Sequence, residues 1–174
     1  MDQGERYVLW PGVFIGGAFS IPDEVLSSLW LEMVTTGKFR SLFYNGNVTD
    51  EAGWSAWIKS SANYPVLVVD TTNHRIVAVE WLNNAVDGAA LAHFCILVFP
   101  RLEIGKAVLR YWSGISLLRV LIGFTPETNT GAVKYAEGIG FKRSGYIPEM
   151  CNMVYEGRRV GAVITTYQTR QKEA

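Results

Sequence analysis

Three β-type runs follow one another at residues 66–70, 75–83 and 89–99, parted by a polar turn at 71–74 and a second turn holding Asp87 and Gly88. Consecutive strands joined by turns this short can pair only by reversing direction, so they form an antiparallel meander. A meander with this many apolar positions needs helices to cover it, and helical patterns flank it on both sides. Upstream, residues 6–19 read as extended, and Ser20 before Pro22, Asp23 and Glu24 reads as a hydroxyl-capped helix start. Leu26, Leu29, Trp30 and Met33 then recur at helical spacing until Gly37, and a shorter helix from Thr49 buries Trp54, Trp57 and Ile58, with Tyr64-Pro65 closing that region. Downstream, Pro100 opens a helix whose Ile104, Val108, Tyr111 and Trp112 share a face. A strand at 118–124, a helix at 129–139 ending at Gly140, and strands at 141–146 and 158–167 complete the order. This predicts an α/β, α+β layered domain: one mixed, mostly antiparallel sheet of about seven strands flanked by about four helices.

The chain has 174 residues, 49% of them hydrophobic, enough for one core, so a single domain over 1–168 with a polar tail at 169–174 is expected. Sixteen basic and sixteen acidic residues cancel and lie scattered, which leaves no electrostatic footprint for nucleic acid or an anionic membrane. The longest apolar run, 89–99, falls well short of the roughly 20 residues of a membrane helix and contains His93. No basic leader is visible, and Cys95 and Cys151 make no disulfide framework, so a cytoplasmic protein is expected. His74 sits in a turn, and two histidines with two distant cysteines give no zinc spacing.

Two local patterns carry chemistry. An apolar strand, Cys95-Ile96-Leu97-Val98-Phe99, runs through Pro100 and Arg101 into a helix containing Ile104-Gly105-Lys106. Further on, Asn129-Thr-Gly-Ala132 leads to Gly140-Phe141 and a terminal hairpin. Together with the element order these resemble the GNAT superfamily of acetyl-CoA-dependent N-acetyltransferases over residues 6–167. The resemblance implies that the strands around Val98 and Phe124 splay apart. It implies that pantetheine pairs with the backbone of Cys95, Ile96, Leu97 and Val98, and that the pyrophosphate rests near Arg101, Ile104, Gly105 and Lys106, with Asn129 nearby. A helix start suits an anion because its N–H groups and dipole need no basic partner. Asn129 also reads as a plain helix cap. Compared with the family, the loop before Gly105 is short and contains Glu103. Ala136 stands where the family has a tyrosine that protonates the CoA thiolate, and Tyr146 is the substitute donor.

Glu80 and His93 are the ionisable members of apolar strand faces. With Asp87-Gly88 as a two-residue turn Glu80 falls opposite Cys95, and with a looser loop opposite His93; in both registers the two share a face. Such a pair can relay a proton, which N-acetyl transfer needs, because an ammonium must lose a proton before it attacks a thioester. Glu80, His93 and Tyr146 are therefore the catalytic candidates, for transfer to an amine, small molecule or protein, with a homodimer as an open state. The competing expectation is a GNAT-fold binding or assembly module of a phage or prophage whose cofactor site is degenerate, which the short loop, Glu103 and Ala136 favour. Whether side chains such as Phe99 and Phe124 fill the opening separates the two.

Overall fold

The computed structural model describes residues 6–169. In chain order it holds β1 (Tyr7–Pro11), the hairpin β2 (Phe14–Ile15) and β3 (Ala18–Phe19), then α1 (Asp23–Thr35), α2 (Lys38–Leu42) and α3 (Glu51–Ile58). The meander follows as β4 (Asn63–Asp70), β5 (Arg75–Val86) and β6 (Ala89–Ile96). The rest is α4 (Leu102–Ser113), β7 (Val120–Pro126), α5 (Thr130–Ile139), β8 (Lys142–Met153), a 3₁₀ turn (Val154–Glu156) and β9 (Arg158–Gln168). Seven strands join in the order β1-β4-β5-β6-β7-β9-β8. Only β6 and β7 run parallel, and α4 is the crossover that such a pair requires.

Side chains alternate along each strand, so the sheet has two cores. On one face Leu67, Val79, Trp81 and Cys95 pack under Leu29, Met33, Trp54 and Ile58 of α1 and α3. On the other, Val68, Ala78, Leu82 and Ala92 pack under Ile104, Val108 and Trp112 of α4 and Ile139 of α5. Asn129 caps α5, its Oδ1 accepting from Ala132 N–H at 3.2 Å, and Gly140 ends that helix at φ +117°, a conformation that favours glycine.

Several expectations need correction. Ser20 does not cap α1; Pro22 holds that position without a side-chain bond. The Ser20 hydroxyl instead accepts from Val13 N–H and donates to the Pro11 carbonyl, tying down the β2–β3 hairpin. β4 starts at Asn63 and contains Pro65. That proline lies beyond the last β1–β4 pair, Pro11 with Val66, where its missing N–H costs no rung. Tyr111 is largely exposed, unlike the other α4 positions assigned to its buried face. Thr169, assigned to the loose tail, is buried and donates its hydroxyl to the Leu118 carbonyl at 2.5 Å; the rest of that tail lies outside the described residues.

The decisive correction is the register of β5 with β6. Asp87 and Gly88 both have positive φ, the two-residue turn expected, and Val86 faces Ala89. Between Val86 and Asn83 the register then slips by one residue, at Asn84 with φ +49°. His93 consequently faces Trp81, and Glu80 faces Phe94. One residue of slip exchanges faces, so Glu80 points toward α4 and α5 and His93 toward α1–α3. They are not a pair.

Candidate active site in the strand opening

β6 and β7 pair only from Ala89 with Val120 to Leu91 with Ile122. Beyond that β6 stays with β5 and β7 stays with β9, so the two part. A cavity of about 250 Å³ occupies the opening, walled by Ala92–Ile96 of β6, by Gly123, Phe124 and Thr125 of β7, and by the start of α5. Phe99 is 85% exposed and does not plug it, while Phe124 forms part of its wall. Gly123 borders it and permits a close approach to β9: a Cβ there would lie 2.6 Å from Thr165 Oγ1. A second cavity of about 500 Å³ shares Ser41, Tyr44, Pro126 and Asn129 with the first and extends to Arg40, Met153, Tyr155 and Glu156.

The open edge of β6 has an identifiable set of backbone groups. Leu97 N–H donates to the Val77 carbonyl across β5 at 2.9 Å. Antiparallel alternation therefore turns the backbone of Cys95 and His93 to β5 also, and that of Phe94 and Ile96 to the opening. Of the four residues expected to pair with pantetheine, Cys95 and Leu97 are thus engaged by β5, Ile96 faces the opening, and Val98 lies past the end of β6 and off the cavity wall; Phe94 joins Ile96. The Cys95 thiol is pushed up to about 12 by burial and is chemically quiet.

His93 lines the cavity. Its ring stacks on Trp81 with centroids 5.0 Å apart, and Nε2 lies 3.2 Å from Asn83 Oδ1. That contact assigns the proton to Nε2, since an amide oxygen only accepts, and leaves Nδ1 with its lone pair. Burial lowers the imidazole to about 4, so it is neutral near pH 7. Glu80 is fully buried, and neither carboxylate oxygen has a hydrogen-bond partner. Desolvation holds its pKa well above the ordinary carboxylate range.

Tyr44, which no periodicity in the sequence singled out, stands where the two cavities meet. Its hydroxyl accepts from Cys151 Sγ at 3.6 Å, which leaves its own proton to be donated. Burial, then the Cys151 contact, raises it. Thr165 is also new: its buried Oγ1 has no partner and borders the cavity. Tyr146, expected as the acid, lies outside both cavities and donates to Glu127 Oε2 at 2.9 Å, while Glu127 Oε1 accepts from Gly161 N–H. Its phenol is raised chiefly by that carboxylate.

At the start of α4 the Ile104 side chain is wholly buried in the core, and Arg101 and Lys106 are exposed. The Gly105 N–H does not look outward freely. It donates to the Tyr135 hydroxyl at 3.0 Å, which in turn donates to the Arg101 carbonyl at 3.3 Å. A Cβ on Gly105 would stand 2.7 Å from that hydroxyl, so glycine permits the close approach of α4 to α5. The Tyr135 ring also borders the cavity, as does Ala136, whose small side chain leaves room. Among the described residues, no group of three or more His, Cys, Asp or Glu side chains could hold a metal ion, and no helix is long and apolar enough to cross a membrane.

An open pair of parallel strands flanked by two helix starts defines a class, the acyl-CoA N-acyltransferase fold, and solved structures agree. A GNAT-family acetyltransferase from Bacillus anthracis superposes with a TM-score of 0.73 at 15% identity, covering 96% of this chain and 97% of that one. Spermidine N-acetyltransferase from Vibrio cholerae, solved with CoA and spermine, gives 0.70 at 15% identity over 94% and 96%. Ribosomal-protein-S5-alanine acetyltransferase from Vibrio fischeri gives 0.70 at 11% identity over 98% and 97%. No protein-family model and no curated protein matches the sequence. The chain has the GNAT acetyltransferase fold.

Proposed function

We propose that the chain is an acyl-CoA-dependent N-acyltransferase that transfers acetyl to an amine. The observation carrying this reading is the opening itself: β6 and β7 part after three pairs, and the free backbone of Phe94 and Ile96 lines the cavity between them. The residues present fit a pantetheine arm there, which would add to the edge of β6 as a strand does. Bound acetyl-CoA would supply the thioester whose acyl carbon receives the amine nitrogen and whose C–S bond then breaks. His93 Nδ1 takes a proton from the incoming ammonium, directly or through water, while Asn83 and Trp81 fix its ring. An N–H of Phe94 or Ile96 stabilises the carbonyl oxygen as it gains charge. Tyr44 donates a hydrogen bond to the departing sulfur. Glu80 takes no part, because it lies on the other face.

Titration calorimetry and thermal unfolding with acetyl-CoA test the reading, with thiol release followed across an amine panel. A ligand at 100 times its Kd stabilises by about 2.7 kcal/mol, a shift that is readily measured. No shift at millimolar acetyl-CoA overturns it. One contact favours a second reading, a binding module of the same fold: the Tyr135 hydroxyl takes the Gly105 N–H that an incoming phosphate would use, and Glu103 stands in the same first turn. Under that reading acetyl-CoA leaves the melting curve unchanged while the fold persists.

A further inference from the structure

The two joined cavities differ in character. The smaller passes through the sheet, and the larger opens beside α2 and the 3₁₀ turn, on the side from which an acceptor would reach His93. The charged side chains lining them are Lys38, Arg40 and Glu156. Glu156 is already paired with Arg158 at 2.7 Å. Neither cation is paired: among the described residues no carboxylate lies within 4 Å of Lys38 or Arg40. Lys38 is half-buried, its Nζ 3.4 Å from the Leu97 carbonyl, and Arg40 rests 5.7 Å over the ring of Tyr155. The two unpaired cations line the joined cavities from the same short helix, Lys38 the smaller beside His93 and Arg40 the larger.

Building on the transferase reading, we infer that the amine acceptor also carries a carboxylate, received by Lys38 and Arg40, as an α-amino acid would. The half-buried Lys38 ammonium has a backbone carbonyl for its polar partner, the exposed Arg40 guanidinium lies over an aromatic ring, and a carboxylate would pair with both. A polyamine meets the opposite situation. It would bring several positive charges to a wall that offers two cations and one committed carboxylate. The larger cavity, about 500 Å³, lies within the usual range for small organic ligands; it is continuous with the one that holds Lys38 and His93, and Tyr44, Met153 and Tyr155 supply an apolar wall for a side chain. Lys38 also acts on the reacting nitrogen. A neighbouring positive charge lowers the pKa of an ammonium, so a smaller demand falls on a base that burial has made weak.

Calorimetry at neutral pH with the twenty L-amino acids, and with the amines obtained by removing their carboxylates, tests this with and without acetyl-CoA. Thiol release is read in parallel. At least one amino acid is expected to bind tenfold or more tightly than its decarboxylated partner. Lys38→Ala and Arg40→Ala should each erase about tenfold of that preference while leaving the Kd of acetyl-CoA within about twofold. The inference falls if no amino acid binds, if the decarboxylated amines or spermidine bind as well, or if Lys38→Ala weakens acetyl-CoA and spares the amino acid. If amino acids bind with the expected preference and acetyl-CoA does not bind, the transferase reading falls and the carboxylate site stands.

Discussion

Glu80 and His93 are buried on opposite faces of the β5–β6 ribbon, and burial favours the neutral form of both. On the α4–α5 face Glu80 is sealed among apolar groups with two oxygens unpartnered. On the α1–α3 face His93 has Asn83 for one nitrogen and a cavity for company. A buried group contributes chemistry only if something can reach it. The sealed face therefore stores an energetic cost, and the open face holds a lone pair that a substrate can use.

The largest expected effect tests the open side. His93→Ala should lower turnover by about 10²-fold, as for removal of a proton-transfer group, with little change in acetyl-CoA affinity. Because His93 ionises near 4, its titration should place no inflection in the rate between pH 5 and 8. A His93-dependent inflection near pH 6.5 would show the ring to be solvated and the contrast false.

Stability tests the sealed side. Glu80→Leu should stabilise the protein by about 1–4 kcal/mol in urea melts, because an isolated buried acid is exchanged for an apolar group of similar size. The sign with pH follows from linkage. The folded pKa of Glu80 is raised, so the native state holds more protons than the unfolded one above the ordinary carboxylate pKa, and the wild type loses stability as pH rises from there. The gain from Glu80→Leu should accordingly be larger at pH 8 than at pH 5. His93 slopes the other way: its folded pKa is depressed, so its contribution declines as pH falls from 6.5 toward 4. His93→Gln should flatten that acid limb and leave the alkaline one.

Smaller effects sharpen the picture at the helix starts. Asn129→Ala removes the cap of α5 and should cost about 1 kcal/mol of stability. Tyr135→Phe frees the Gly105 N–H, and should tighten acetyl-CoA about threefold in calorimetry while costing roughly 0.5–1 kcal/mol of stability.

Much of this fold was legible because its signals are local. Asn129 and Gly140 bracket α5 by cap chemistry, and Asp87-Gly88 specifies its turn through two positive φ angles. The opening between β6 and β7 was anticipated from the resemblance, and the geometry bears it out. What sequence spacing could not supply was parity. The slip at Asn84 leaves both strands apolar and alternating, so nothing in either pattern reveals that Glu80 and His93 have parted. Tyr44 was hidden for a different reason: it lies in the turn after α2, outside any periodic element. Tyr146 stands apart from the opening, its phenol bound to Glu127, a contact between residues nineteen apart that no local pattern reveals.

The irregularity at Asn84 also bears on how this chain can vary. A substitution between Asn83 and Ala89 changes one hairpin position, whereas a one-residue change of register re-addresses a whole strand. With β5 anchored to β4, a hairpin of the same length paired without the slip would carry His93 onto the face of Glu80, away from the opening. Seen this way, a residue that touches no substrate decides which of two dissimilar cores receives the imidazole.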